Sequence, residues 1–509
     1  MLVTRRPFAL LQRVRTAVGR HLNIGSVCRE MATVNGHSIS KYQSAILHLN
    51  DLQSNAMVIQ KLREKRDIIQ ERNIQETTEY LEQSGLHLNQ VDDLKVIHVS
   101  GTKGKGSTCA FVESILRSLG YKTGLYTSPH LVHARERIRI NSHPIDEELF
   151  AEYFFKVYNQ LKSSGDGRQM PAYFKFLTLM AFHVFHSEKV DVAIIEVGIG
   201  GSYDCTNIVR NPKVCGVTTL DFDHTSILGT TIPEIAKHKA GIFKKDVPAV
   251  ATPPVPTALE VYQQKAADAE STLHLAPEFD SYSWPKGKIS LGIAGCHQQL
   301  NVSLALQLAR IWLERTGNDD GVFSNGNWRP GDPYEVPQRF ADAIADCRWP
   351  GRSHTVEQGQ LSYFLDGAHT PKSMEMCAIW FQDQMTNRSK RKRILIFQCT
   401  ADRNPTTLLP FLKDLDIDTA LFCPTILQVS QDKSSDNANF NQSTSEQMTR
   451  SERCADTWKE LTGKETHVFD CISSLVDWVQ KIDEPADILV TGSLHLVGGV
   501  LSFIQPDVC

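Results

Sequence analysis

The stretch Val99-Ser100-Gly101-Thr102-Lys103-Gly104-Lys105-Gly106-Ser107 limits what this chain can fold into more than any other. The apolar run Val96-Ile97-His98-Val99 ahead of it reads as a short buried strand. Behind it, Val112, Ile115, Leu116 and Leu119 recur at helical spacing until Gly120 offers a stop. A glycine-rich turn joining a strand to a helix belongs to an α/β fold. Its glycines let backbone N–H groups approach phosphates closely, and the helix N-terminus adds partial positive charge. Lys105 is placed to reach terminal phosphates and the Ser107 hydroxyl to ligate Mg²⁺. The spelling departs from the usual phosphate loop, because Gly106 separates Lys105 from Ser107 and the loop is shorter. On pattern alone, a glycine-rich turn carrying solvated lysines stays open as the alternative.

Composition narrows the class. A chain of 509 residues allows about two to four domains. A net charge of -4 gives no sign of nucleic-acid binding, and no apolar run reaches the roughly 18 residues a membrane-spanning helix needs. The 12 cysteines are scattered, with no C-x-x-C pair, which favours free thiols over a disulfide framework or structural zinc. The N-terminus differs from the rest. Arg5, Arg6, Arg13, Arg15, Arg20 and Arg29 alternate with apolar residues, and no acid precedes Glu30. Such a start reads as a mitochondrial transit peptide, with a disordered basic tail as the alternative. A second start at Met31 gives a cytosolic form, and residues 1–38 are set aside from the fold.

Along the chain, residues 41–90 read as helical, and Gly124 to His130 as a strand ended by Pro129. Asn141 to Pro144 reads as a turn, and Asp146 to Leu161 and Tyr173 to Ser187 as helices. Val190 to Gly198 is a near-continuous apolar run, the mark of a parallel strand covered on both faces, and Val214 to Leu220 is another. Ligands in open α/β sheets sit beyond such strand ends, where Glu196, Asp223 and His224 lie. A carboxylate inside an apolar strand must be paired or bind metal, so Glu196 is a candidate Mg²⁺ ligand or a buried partner for a lysine or backbone amide. Residues 252–290 have a weak pattern; Gly295 to Asn301 opens a helix through Leu313. Trp349-Pro350-Gly351-Arg352 is a stiff connector dividing a first domain, residues 39–347, from a second, residues 348–509. The second alternates strands at Leu361–Leu365, Arg393–Gln398, Thr419–Cys423 and Ile488–Ser493 with helices, among them Thr406 to Leu415. Ser430 to Ser451 is polar and reads as a disordered loop.

The motifs stand in a revealing order. The glycine-rich loop is followed by Thr127-Ser128-Pro129-His130, Glu196-Val197-Gly198-Ile199-Gly200-Gly201, Asp223-His224 and Gly295-x-His297-Gln298-x-x-Asn301. Trp349-Pro350-Gly351-Arg352, Asp366-Gly367-Ala368-His369 and Thr491-Gly492-Ser493-Leu494 complete it. From about residue 40 to the C-terminus the chain resembles the folylpolyglutamate synthase family, relatives of the Mur ligases, in its eukaryotic mitochondrial and cytosolic form. The resemblance implies an α/β fold with a Mur-ligase-like P-loop ATPase domain and a smaller Rossmann-like C-terminal domain. It implies ATP-dependent ligation of L-glutamate to the γ-carboxylate of tetrahydrofolate (poly)glutamate through an acyl phosphate, by a monomer peripheral to the mitochondrial membrane at most. Two Mg²⁺ ions are expected, and a monovalent cation such as K⁺ by analogy.

The same resemblance distributes the roles. Gly101, Thr102, Lys103, Gly104, Lys105, Gly106 and Ser107 hold phosphates, Gln298 and Asn301 the nucleotide, and Arg352 the γ-phosphate. Ser107, Ser128 and Glu196 surround one Mg²⁺, and His224 serves a second. Lys239 matches a lysine that relatives carry as a carbamate, and Asp366 and His369 face the nucleotide and reaction centre. Thr400-Ala401-Asp402-Arg403-Asn404-Pro405 departs from the family's G-D-R-D-P turn, which leaves that turn's role open. Dihydrofolate synthase activity, alone or in addition, is the nearest alternative, and a nucleotide-binding module without catalysis is a further one.

Overall fold

Each apolar run that precedes a site motif forms a strand, and the motif lies where the strand ends. The computed structural model describes residues 33–34, 37–53, 66–164, 168–285, 287, 289–319, 321–323, 327–386, 388–399, 403–429, 433–437 and 443–506. In the unit of residues 1–40, β1 (Thr33–Val34) pairs antiparallel with β2 (His37–Ser38). These strands lie inside the segment set aside as 1–38; the arginine-rich part of that segment is outside the described residues.

Residues 41–509 form one unit that contains two sheets. The eight-stranded sheet runs β10 (Leu273–Leu275), β9 (Ala249–Ala251), β8 (Val214–Val217), β3 (Ile97–Ser100), β7 (Val192–Glu196), β4 (Thr123–Tyr126), β5 (Ile138–Ile140) and β6 (His143–Pro144). The first six strands are mutually parallel, and β5 and β6 add an antiparallel edge. The six-stranded sheet runs β11 (His354–Gln358), β12 (Leu361–Leu365), β16 (Ala486–Thr491), β13 (Lys392–Phe397), β14 (Thr419–Phe422) and β15 (Glu465–Val468). All but β11 are parallel. All residues of β3, β4, β7, β8, β12, β14 and β16 are buried, as helices on both faces require.

Register aligns the functional ends. Val99 stands opposite Glu196 on one side and Gly216 on the other, so the loops after β3, β7 and β8 emerge together. Leu365 stands opposite Val490 and Phe397 opposite Thr491, which gathers the loops after β12, β13 and β16 in the same way. The helix Lys105–Ser118 packs against Gln298–Thr316, whose Trp312 is fully buried and donates its indole N–H to the Lys95 carbonyl at 2.7 Å.

Several readings need correction. The turn expected over Asn141–Pro144 is present at Asn141 and Ser142 as the bend of the β5–β6 hairpin, and only His143 and Pro144 depart from it by forming β6. The weak stretch 252–290 holds the helix Pro256–Asp268 and β10, and β11 follows the connector. Thr406 to Leu415 is a short helix, Pro405–Leu408, and a 3₁₀ turn, Leu409–Leu412. The tail of the polar stretch 430–451 opens the helix Thr444–Thr462, started by a reciprocal cap between Ser443 and Glu446. Polarity there marks a solvated face; Cys454, Ala455 and Trp458 supply the buried one.

Candidate active site

The loop after β3 owes its shape to two glycines. Gly101 has φ +139 and Gly104 φ +88, and a Cβ at either would overlap Thr218 or the Asn301 amide. The N–H groups of Thr102 and Lys103 both donate to the Thr219 carbonyl, at 3.1 and 3.0 Å. These two loop amides are therefore spent on holding it to the β8 end. The donors facing outward are those of the first turn of Lys105–Ser118, which a helix cannot satisfy internally. Asn301 fixes the loop from the other side: its amide donates to Gln298 Oε1 at 2.8 Å, and its Oδ1 lies against Gly104.

Asp223, beyond the end of β8, is the polar hub where the two sheets meet. Lys103 Nζ donates to its Oδ2 at 2.9 Å, Arg403 Nη2 lies 3.4 Å from Oδ1, and the His224 N–H donates to Oδ1 at 3.0 Å. Lys103 Nζ is also 2.9 Å from His369 Nε2. The His369 Nδ1 lies 2.7 Å from the Gly367 carbonyl, so Nδ1 carries the proton and Nε2 accepts from Lys103. Burial and the Lys103 charge push His369 down to about 4, in keeping with a neutral ring. Burial also brings Lys103 down to about 8, against the pull of Asp223. Burial works to raise the Asp223 carboxyl, but the Lys103 ammonium beside it outweighs this and holds it well below the usual range.

Glu196, at the end of β7, is 4% exposed. Its carboxylate lies 3.9 Å from Lys105 Nζ and accepts the Ser128 N–H at 2.9 Å. Burial raises this carboxyl; Lys105, the Ser128 amide and Arg352 oppose the rise. Arg352, reaching in from the connector, feels both Glu196 and Asp366. Asp366 accepts the Ser353 N–H at 2.8 Å and the Ala368 N–H at 2.9 Å, which stiffens the turn carrying His369. Lys239 is 4% exposed, and burial together with the Lys105 charge holds its amine well below the usual value. Burial lowers His224, which sits at φ 50, in the left-handed region.

One cavity of about 1140 Å³ collects Thr102 to Ser107, Ser128, Glu196, His224, Gln298, Asn301, Arg352, Asp366 and His369. Gly101 and Lys239 do not line it, although His238 does. Asp223 is more central than its place at a strand end suggested, and Arg403 joins it from the departed turn. The sequence signal for Asp223 was there: two acids and a histidine in four residues after an apolar run. Among the described residues no three of His, Cys, Asp and Glu form a ready metal cage. One carboxylate with nearby hydroxyls, completed by phosphate oxygens and water, is nonetheless the donor set Mg²⁺ favours.

A glycine-rich loop at the end of a parallel strand, facing across one cleft Arg352, Asp366 and His369 from a second α/β layer, defines the α/β class with its cleft at the carboxyl ends of the strands. Comparison with known proteins narrows this. The model for "Dihydrofolate synthetase, C-terminal domain" matches residues 352–503. A Caenorhabditis elegans relative is 49% identical over 480 residues, covering 91% of this chain and 92% of its own. The human "Folylpolyglutamate synthase, mitochondrial" is 38% identical and covers 92% of each chain. In fold, the chain is similar to Escherichia coli FolC in complex with DHPP and ADP, with TM-score 0.67 at 24% identity over 92% of this chain and 98% of that one. The chain belongs to the folylpolyglutamate synthase family.

Proposed function

We propose that this chain ligates L-glutamate to the γ-carboxylate of tetrahydrofolate (poly)glutamates with ATP. The γ-carboxylate oxygen attacks the γ-phosphorus as the bond to the β-bridging oxygen breaks, giving an acyl phosphate and ADP. The amine of L-glutamate then attacks the acyl carbon, an amide forms, and phosphate leaves with the amine's proton in the net balance. Phosphorylation supplies the leaving group that a carboxylate lacks. The observation that carries this reading is the meeting of Lys105, Glu196, Arg352 and His369 on one cavity, in a chain 38% identical to a human protein of that name.

Phosphoryl transfer needs chiefly placement and charge neutralisation. Lys105 and the first-turn amides hold the phosphates, Arg352 the γ-phosphate, and Gln298 and Asn301 the nucleotide. Asp366 keeps the His369 turn rigid beside the reaction centre. Ser107, Ser128 and Glu196 would hold one Mg²⁺ and His224 a second, which would offset the charge of the phosphates. Lys239, buried and with a depressed amine, suits a carbamate, whose formation needs the neutral amine. The two domains are residues 39–347 and 348–509, and their closure would keep water from the acyl phosphate. A mitochondrial form from Met1 accords with the human and bovine relatives named mitochondrial, and a start at Met31 would give a cytosolic form.

A second reading, dihydrofolate synthase activity, is favoured by one observation: the match of residues 352–503 to the dihydrofolate synthetase model. The chemistry is the same with dihydropteroate as acceptor, so acceptor choice separates the two. The placement of Lys105 is tested by Lys105→Ala. Ligation should vanish while the circular-dichroism spectrum and unfolding midpoint stay within error of the parent; near-normal turnover would remove the loop from the mechanism.

A further inference from the structure

Within the connection between β14 and the helix Thr444–Thr462, residues 433–437 dock on helix and loop residues of the half that carries the first sheet, through side-chain hydrogen bonds. Asn50 Nδ2 donates to the Lys433 and Ser435 carbonyls at 2.9 and 3.0 Å. Asp436 Oδ1 accepts from the Tyr42 hydroxyl at 2.5 Å and the Ala134 N–H at 2.7 Å, and His133 Nδ1 lies 3.5 Å from Oδ2. Asn437 Nδ2 donates to the Val132 carbonyl at 3.1 Å. The arm therefore grips the Pro129–Arg137 loop, which begins beside Ser128 and Glu196.

The grip is transmitted inward by a histidine whose protons are fixed. Arg137 Nε donates to His130 Nδ1 at 3.0 Å, so Nδ1 holds the lone pair. The proton sits on Nε2, which lies 3.1 Å from the Asp436 carbonyl and donates to it. His130 is 6% exposed, and accepting at Nδ1 while donating from Nε2 is the pattern of a neutral ring. Arg137 is itself buried, lies over the Tyr173 ring at 5.3 Å, and lines the main cavity on the side of Ser128 and Glu196. An arginine held by its Nε keeps its terminal nitrogens for a planar anion, and carboxylates are such anions.

We propose that Asp436 is a positioning residue for the acceptor substrate: it fixes the Pro129–Arg137 loop and, through His130, sets Arg137 against the acceptor's carboxylate. The arm joins the two sheets, so the acceptor site is complete only when the second sheet's arm is seated on the first. This inference rests on the ligase reading for the identity of the acceptor but not for the grip itself.

The test uses the full chain as Asp436→Ala and Asp436→Asn. Both strong bonds fall on one oxygen, which asparagine supplies and alanine does not. In Asp436→Ala the KM for the folate acceptor should rise on the order of ten- to a hundredfold with the KM for ATP unchanged. Asp436→Asn should return it to within about twofold. Amide hydrogen exchange, read without turnover, should quicken across residues 130–137 in the alanine variant only. An unchanged acceptor KM, an equal loss in all kinetic constants, or unchanged exchange would overturn the proposal. If the parent protein fails to incorporate glutamate at all, the ligase reading falls and the exchange result alone decides whether the grip exists.

Discussion

Lowering the pH should destabilise this fold through three histidines held neutral by burial. His98 is fully buried and brought down to about 3. His183, 4% exposed, is brought down to about 4 by burial and by neighbouring positive charge. His130 is held well below the usual value by burial and Arg137. An unfolded imidazole titrates near about 6.5. With the folded value depressed, the unfolded state binds more protons as pH falls through that region, so stability is full above about 6.5 and declines below it. Between pH 7.5 and about 5.5 His98 and His183 each contribute a loss of about 1.3 kcal/mol, and His130 acts in the same direction. Together these losses are a large share of the roughly 5–15 kcal/mol typical of a folded domain. Burial raises the Glu196 and Asp204 carboxyls, which act in the opposite sense, so a single variant is the cleaner probe. His183 Nε2 lies 2.8 Å from Ser84 Oγ, whose own proton goes to the Leu81 carbonyl. His183→Gln can keep that bond without titrating. Urea unfolding at pH 7.5 and 5.5 should show the variant losing about 1.3 kcal/mol less than the parent. Parallel losses in the two proteins would refute the reasoning.

Gly104→Ala should weaken binding of a non-hydrolysable ATP analogue at least about tenfold by calorimetry, since the new Cβ meets Asn301 and φ +88 disfavours any side chain. Unchanged affinity would mean that the loop can shift without loss. Asp223→Asn removes the negative charge that Lys103 and Arg403 share and should cost about 1–3 kcal/mol in denaturant unfolding, less than a fully buried pair because Lys103 keeps 21% side-chain exposure. Equal stability would show that the hub does not join the two sheets. Arg352→Ala should raise the KM for ATP or lower kcat by at least about tenfold in glutamate-dependent turnover.

Strand ends were the most legible part of the chain. Apolar runs such as Val192–Glu196 bury every residue, so a parallel sheet is their natural home, and the chemistry must follow at the carboxyl ends. Edge strands were less legible, because β6 and β15 have no fully buried residue and little apolar pattern. The helix Thr444–Thr462 was hidden by its polar face, although the Ser443–Glu446 cap marked its start. In the site, the glycine-rich loop with Lys105 and Ser107 could be read from local spacing, whereas Asp223, Arg403 and Arg137 gain their meaning from contacts between distant segments. Lys103 meeting His369 across 266 positions has no sequence period to announce it. The loop's amides turning to Thr219 were also beyond a pattern that counts glycines.

The central claim is tested most directly by Mg-ATP-dependent incorporation of labelled L-glutamate into tetrahydrofolate by residues 31–509, with dihydropteroate as a parallel acceptor. The account predicts stoichiometric ADP release with incorporation into tetrahydrofolate and none into dihydropteroate. ATP binding without glutamate incorporation into either acceptor would contradict it.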